Sequence, residues 1–171
     1  MKSEDYKVSG NMMAYFYVNT YTNFAQNYES YMKYFSIGAA NGISDHREIT
    51  IGGTKEKPNS FDTMFLGDFK GTWFDYFMKQ TQDSVKSMLI YCEEADKLGI
   101  TLTDEDKKNI EATIDSKITE FKIYNLSGGG GADLSEATCL KALYGEGVKR
   151  SDVRKALELS TLASKCSENK S

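Results

Sequence analysis

Apolar residues recur every three or four positions on both sides of Gly99, which predicts two helices joined by a short turn. The first repeat ends at Leu98, and Gly99 can adopt the left-handed conformation that closes a helix. Thr103 is placed to cap the second helix, with Asp106 three residues on as its reciprocal partner. Two amphipathic helices with so short a connection must pack side by side. The sequence therefore predicts an all-α fold.

A long first helix is predicted from Ser9 to about Phe35, because no proline and no glycine after Gly10 interrupts this stretch. One stripe of it is mainly aromatic, and tyrosine hydroxyls need water or a polar partner. Part of the stripe is thus expected to line a wet groove. The candidate peptide-binding residues in this groove are Tyr17, Tyr21, Phe24, Tyr28 and Tyr31.

A long connection is predicted over residues 36–71, where six glycines and Pro58 break the helical pattern. Residues 47–51 alternate like a short strand, so we expect at most a small hairpin there. Apolar residues in the second half would hold the connection against the helices. These anchors are Phe61, Met64, Phe65, Leu66 and Phe69.

Four more helices complete the predicted bundle. A long central helix begins at a Thr72 cap and ends at Gly99, and a third runs from Thr103 to about Tyr124. The last two are shorter. The fourth is capped by Asp133 or Ser135 and ends near Tyr144; the fifth is capped by Ser151 and ends near Lys165. The prediction is a single domain over residues 1–171 with about five helices, a covering loop at 36–71 and a frayed tail at 166–171.

Composition narrows the classes of partner. The net charge is −4 and the lysines are interleaved with acidic residues, so we expect no nucleic-acid partner. No apolar run approaches the roughly 20 residues of a membrane-spanning helix. The N-terminal residues MKSEDYKVSG lack the apolar core of a signal peptide. The three cysteines have no metal-type spacing, so we expect buried free thiols in preference to a disulfide or a zinc site.

Motifs that would carry chemistry are weak. His46 is the only histidine, and no nucleophile is near it in sequence, so we expect a solvated loop residue. The glycines Gly128–Gly131 lack the lysine and hydroxyl residue of a phosphate loop and favour a linker. The acidic residues at 104–106 suit a helix start and lack the spacing of a calcium loop. No catalytic residue is assigned.

Aromatic and methionine residues off the main stripe of the first helix are the remaining signal. They comprise Met12, Met13, Tyr15, Phe16, Val18, Met32 and Tyr34. A helix that is apolar almost all round is either buried centrally or used to hold apolar segments of a partner. Core packing is expected to account for most of these residues.

The order of the motifs resembles a known family. The stretches VSGNMMAYFYVNTY, TWFDYFMKQTQDSV, CEEADKLGITLTDEDKKNI and KALYGEGVKRSDVRKALELSTLASK are similar to the N-terminal, SurA-type chaperone region of exported parvulin-class peptidyl-prolyl isomerases, the foldase lipoproteins of gut Firmicutes. The resemblance covers most of the chain and weakens between Ser36 and Gly71. It implies a helical, extracytoplasmic domain that holds unfolded segments of secreted proteins, without metal or cofactor.

Two alternatives stay open. In the first, peptidyl-prolyl isomerase activity is supplied by the family's separate parvulin domain, which this chain lacks. The chain by itself is expected to be non-catalytic and to be either a fragment of a longer foldase or a stand-alone relative. A lipid anchor in the parent protein would be its link to the membrane. In the other alternative, exposed aromatic residues pair with a second copy of the chain in a homo-oligomer.

Overall fold

Helices are the only regular elements in residues 1–37, 46–126 and 134–170, the part of the chain that the computed structural model describes. The all-α prediction is confirmed. In place of about five helices, these residues form six α-helices and one 3-10 helix. They are α1 (Gly10–Asn27), the 3-10 helix Glu29–Tyr34, α2 (Ser60–Leu66), α3 (Trp73–Lys97), α4 (Asp104–Leu126), α5 (Glu136–Tyr144) and α6 (Arg150–Lys170). The predicted glycine linker Gly128–Gly131 and the candidate cap Asp133 lie outside the described residues.

Two compact units share these helices. Unit 1 comprises Met1–Val18 and Ser84–Ser171, and unit 2 comprises Asn19–Asp83. The divisions fall within α1 and within α3. A single domain over residues 1–171 stays a prediction.

The predicted capping boxes are present. The Asp106 amide donates to Thr103 Oγ1 (3.0 Å), while the Thr103 amide donates to the Asp106 carboxylate (2.8 Å). Thr72 and Asp75 form the same reciprocal pair at the start of α3, at 2.8 and 3.1 Å. Gly99 closes the turn with a φ of 71°.

The first helix ends earlier than predicted. α1 stops at Asn27, and the 3-10 helix follows, with the Tyr31 amide donating to the Tyr28 carbonyl at 2.9 Å. Tyr28, Tyr31 and Tyr34 are spaced by three residues, which places them on one side of a 3-10 helix. This uniform spacing is the signal that separates the segment from the mixed three-and-four spacing of α1.

Three other predictions about the helices are wrong. Residues 60–66 of the predicted loop form α2, and α6 begins at Arg150 without a Ser151 cap. The Asp152 carboxylate instead accepts the Lys149 amide at 2.9 Å, so a carboxylate satisfies the helix start. α6 also continues past the predicted end at Lys165 to Lys170.

The core of unit 1 lies between α1, the C-terminal part of α3, and α4 to α6. Its buried side chains include Val8, Met12, Tyr15, Leu89, Ile114, Leu140, Val153 and Leu162. The expected free, buried thiols are confirmed for Cys92, Cys139 and Cys166. Burial raises the pKa of Cys92 to about 11. In the described ranges, no helix is long and apolar enough to cross a membrane.

Arg150 connects α4, α5 and α6 through ion pairs. Its guanidinium lies 2.7 Å from Glu111, 2.8 Å from Asp115 and 2.5 Å from Glu136. Arg154 also pairs with Glu111. The hydrogen bonds from Arg154 and Arg150 lower the pKa of Glu111 from 4.5 to about 2. The three helices are therefore joined by a polar network at one edge of unit 1.

Replacing Glu111 by Gln is expected to lower the free energy of unfolding at pH 7 by about 1 kcal/mol, a value discounted because the side chain is 37% exposed. The folded-state pKa is depressed, so this stabilisation is present above pH 4.5 and is lost as the pH falls toward about 2. Urea unfolding at several pH values measures it. Wild type and Glu111→Gln should converge at low pH. Glu120→Gln, at an exposed site later on the same helix, is the control; equal effects of the two variants would contradict the assignment.

Candidate functional site

Aromatic rings form the interior of unit 2. Phe24 on α1 has ring centroids of Phe35, Trp73 and Phe77 at 5.6, 5.7 and 5.1 Å. Trp73 and Phe77 are fully buried on α3. Edge-to-face and tilted ring packing of this kind stabilises beyond simple apolar burial. The aromatic stripe of α1 thus continues into a packed cluster.

Asp62 is the buried carboxylate of unit 2. It accepts hydrogen bonds from the Ser36 amide (3.0 Å), the Ser36 hydroxyl and the Trp73 indole nitrogen (3.2 Å). A charged group excluded from water needs such partners. Asp62 therefore links α2 to α3 and to the segment that follows the 3-10 helix.

His46 is buried, and the prediction of a solvated loop histidine is wrong. Its ring stacks on Tyr21 at 4.9 Å and contacts the edge of Phe77 at 5.6 Å. The imidazole therefore packs among the aromatic rings of unit 2. Its neighbours in sequence, Ser44 and Asp45, lie outside the described residues.

The predicted groove residues have different positions. Tyr17, in unit 1, is buried, and Tyr21, in unit 2, is buried beside His46. Phe24 and Tyr28 are half-buried, and only Tyr31 is well exposed. The five residues share a stripe in sequence, but most of that stripe is used for packing. A binding role for them stays a prediction.

Exposed apolar side chains of unit 2 lie on the 3-10 helix and on α2. Tyr31 and Tyr34 are each 51% exposed, Phe65 is 39% exposed and Met64 is 80% exposed. Met64 was expected to be an anchor of the loop, and its exposure contradicts this. We call the surface formed by Tyr28, Tyr31, Tyr34, Phe61, Met64 and Phe65 the aromatic–methionine face.

Ring contacts connect the two elements that carry this face. Tyr34 lies 5.6 Å from Phe61, and Tyr28 lies 5.0 Å from Phe65. Phe61, Met64 and Phe65 are three and four residues apart and share one side of α2. Tyr28, just before the 3-10 helix, and Tyr34, at its end, thus adjoin the apolar side of α2.

Asn59 fixes this arrangement. Its side-chain amide donates to the Tyr34 carbonyl (2.7 Å), and its side-chain oxygen accepts the Phe61 amide at the start of α2 (2.9 Å). One side chain thus caps α2 and holds the end of the 3-10 helix. The sequence signal that could have revealed the helix is this cap followed by Phe61, Met64 and Phe65.

The face offers apolar contact area and tyrosine hydroxyls that can form hydrogen bonds. These properties suit the binding of a partner better than the catalysis of a reaction. Methionine side chains are flexible and polarizable, so they adapt to apolar partners of different shape. Lys33 lies 5.1 Å above the Tyr34 ring and adds one cation at the border. The face can therefore hold apolar or aromatic side chains of a partner.

Unit 1 contains a second polar cluster. Carboxylate oxygens of Asp5, Glu93 and Asp96 lie within 4.8 Å of one another. Hydrogen bonding to Glu93 raises the pKa of Asp5, while the Ser3 hydroxyl and the Asp5 amide lower that of Glu93. These bonds and one from Tyr6 to Asp96 (2.6 Å) hold the N-terminal residues on α3. These hydrogen bonds explain the acidic cluster as the contact that attaches the N-terminal residues to α3. That the chain binds no metal stays a prediction.

Comparison with protein-family models, curated proteins and solved structures found no match. The resemblance to the SurA-type chaperone region thus has no support from these comparisons.

Replacing Asp62 by Ala is expected to reduce the free energy of unfolding of unit 2 by about 3 kcal/mol, because the Ser36 amide and the Trp73 indole N–H would lose a buried acceptor. Trp73 is the only tryptophan, so a red shift of its emission during urea unfolding measures the change. Asp62→Asn should recover part of the loss, since its amide oxygen still accepts. Asp68→Ala, at an exposed site, is the control. An unchanged midpoint in Asp62→Ala would contradict this role.

Proposed function

We propose that this chain is a non-catalytic, peptide-binding chaperone domain that holds unfolded or extended segments of secreted proteins. The aromatic–methionine face supports this proposal most directly. Soluble proteins seldom leave several large apolar side chains exposed together unless the surface contacts a partner. Met64 and Tyr31 would contribute the adaptable contacts that varied clients require.

The proposed architecture is a SurA N-terminal-like helical domain, as the motif resemblance implies. The proposed location is outside the cytoplasmic membrane, with a lipid anchor and a parvulin isomerase domain belonging to a longer parent protein. The domain itself would need no cofactor. The proposed binding surface is the aromatic–methionine face, which keeps Tyr28 and Tyr31 of the predicted stripe, because Tyr17 and Tyr21 are buried.

Self-association is the second candidate, and the same observation favours it. An exposed apolar face on one copy is also a surface that a second copy can cover. If the chain is a chaperone domain, the face is exposed on a monomer and binds clients there. Self-association predicts that the face is covered in a dimer, so the oligomeric state separates the two candidates.

The double variant Tyr31→Ser with Met64→Asp tests the proposal. Both side chains are largely exposed, so the fold should survive while apolar contact area is lost. Light scattering of reduced insulin B chain measures suppression of aggregation. We expect the wild type to suppress aggregation, and the variant to need about fivefold more protein for the same effect.

The matched control is Tyr124→Ser with Ile123→Asp, which makes the same two kinds of change at exposed apolar side chains of α4 in unit 1. It should act within about twofold of the wild type. No suppression by the wild type, or equal loss in both double variants, would overturn the proposal. A dimer in sedimentation analysis that only Tyr31→Ser with Met64→Asp dissociates would favour self-association.

A further inference from the structure

The N-terminal residues Met1–Val8, here called the arm, fold back on themselves. The Val8 amide donates to the Met1 carbonyl at 2.7 Å, and the Ser3 amide donates to the Tyr6 carbonyl at 2.8 Å. Between these bonds, Lys2 and Lys7 form an isolated antiparallel bridge. The bonds come from the residues that flank the bridge, so Lys2 and Lys7 are a non-hydrogen-bonded pair.

That geometry leaves one edge of the arm open. In a non-hydrogen-bonded antiparallel pair, the amide and carbonyl of each residue point away from the other strand. The Lys2 amide and carbonyl therefore face outward, and neither has a hydrogen-bond partner in the described part of the chain. Such an edge can pair with another extended backbone.

Lys2, whose backbone forms this edge, also lines an apolar groove of about 460 Å³ in unit 1. One side is formed by Met1, Lys2 and Ser3 of the arm. The other side is one stripe of α3, consisting of Lys86, Leu89, Ile90, Glu93, Glu94 and Lys97. Ile90 is 68% exposed in the groove, although Leu89 beside it belongs to the core. The volume lies within the usual range for ligand sites.

The arm is held in place before any ligand arrives. Glu93 accepts the Ser3 hydroxyl and the Asp5 amide, the latter at 2.9 Å. The groove wall is thus attached to α3 by side-chain bonds. A partner would therefore bind to a formed edge and would not have to order the arm.

The charged residues around the groove indicate which kind of partner can bind there. Within the described residues, Lys2 and Lys86 form no ion pair, whereas Glu93 is already engaged by the arm. Lys86 lies one turn before Ile90, and Glu94 lies one turn after it. A second copy paired through the same edge would place two Lys2 side chains opposite each other, which is unfavourable. An acidic residue opposite Lys2 or Lys86 is favourable.

We propose that the groove between the arm and α3 binds an extended peptide that pairs its backbone with Lys2, places an apolar side chain on Ile90 and carries acidic residues toward Lys2 and Lys86. This binding mode is strand addition with one side-chain pocket. The groove lies entirely in unit 1 and the aromatic–methionine face entirely in unit 2, so the two binding proposals stand or fall separately.

Fluorescence anisotropy with a labelled, acetylated and amidated peptide of sequence Glu-Asp-Val-Leu-Val-Ser tests the proposal. We expect saturable binding that weakens about tenfold in Ile90→Asp, where a charge enters the apolar groove. The same peptide with lysine in place of both acids should also bind about tenfold more weakly. A peptide N-methylated at its three apolar residues should lose binding, because strand pairing needs backbone amides.

Ile123→Asp is the matched control, because it places the same charge at an exposed isoleucine of α4; binding should stay within about twofold of the wild type. Lys86→Glu should reverse the preference toward the lysine peptide. Absence of saturable binding, or equal binding of the N-methylated peptide, would overturn the proposal. Binding lost in Met64→Asp and retained in Ile90→Asp would also overturn it, and would assign the peptide to the aromatic–methionine face.

Discussion

The structure of unit 2 depends on the hydrogen bonds that the buried Asp62 carboxylate accepts. Burying it is costly, and the cost is met only when Ser36 and Trp73 are both in position. That requirement joins α2, the start of α3 and the segment after the 3-10 helix, which are far apart in sequence. Apolar contacts are not directional, so by themselves they would allow these elements to shift relative to one another. The directed hydrogen bonds select one arrangement, and that arrangement places Tyr34 beside Phe61 on the surface.

Helix caps and turns could be predicted from the sequence where they depend only on residues close together in the chain. The capping boxes at Thr72 and Thr103 and the closing turn at Gly99 depend on residues within three positions, and all are present. α6 differs, because it begins at Arg150, before the expected Ser151 cap, and the Asp152 carboxylate in its first turn accepts the Lys149 amide. Both residues had suitable chemistry, and spacing by itself did not choose between them.

Packing between residues that are far apart in the chain could not be predicted from the sequence. The sequence predicts a solvated His46 because it lies in a glycine-containing stretch with no nucleophile near it, yet its ring packs against Tyr21 and Phe77 from two helices. The stripe of α1 was correctly recognised as aromatic, but periodicity gives only the side of a helix and not what covers it. The exposed apolar side chains of unit 2 lie instead on the 3-10 helix, within the predicted first helix, and on α2, within the predicted covering loop.

The three buried thiols all belong to unit 1, whereas the single indole belongs to unit 2. Each unit thus carries its own intrinsic reporter. Thiol-reactive reagents reach Cys92, Cys139 and Cys166 only when unit 1 opens, and Trp73 emission responds when unit 2 opens. Comparing the two signals in one denaturant series would reveal whether the units unfold as one cooperative block or in sequence.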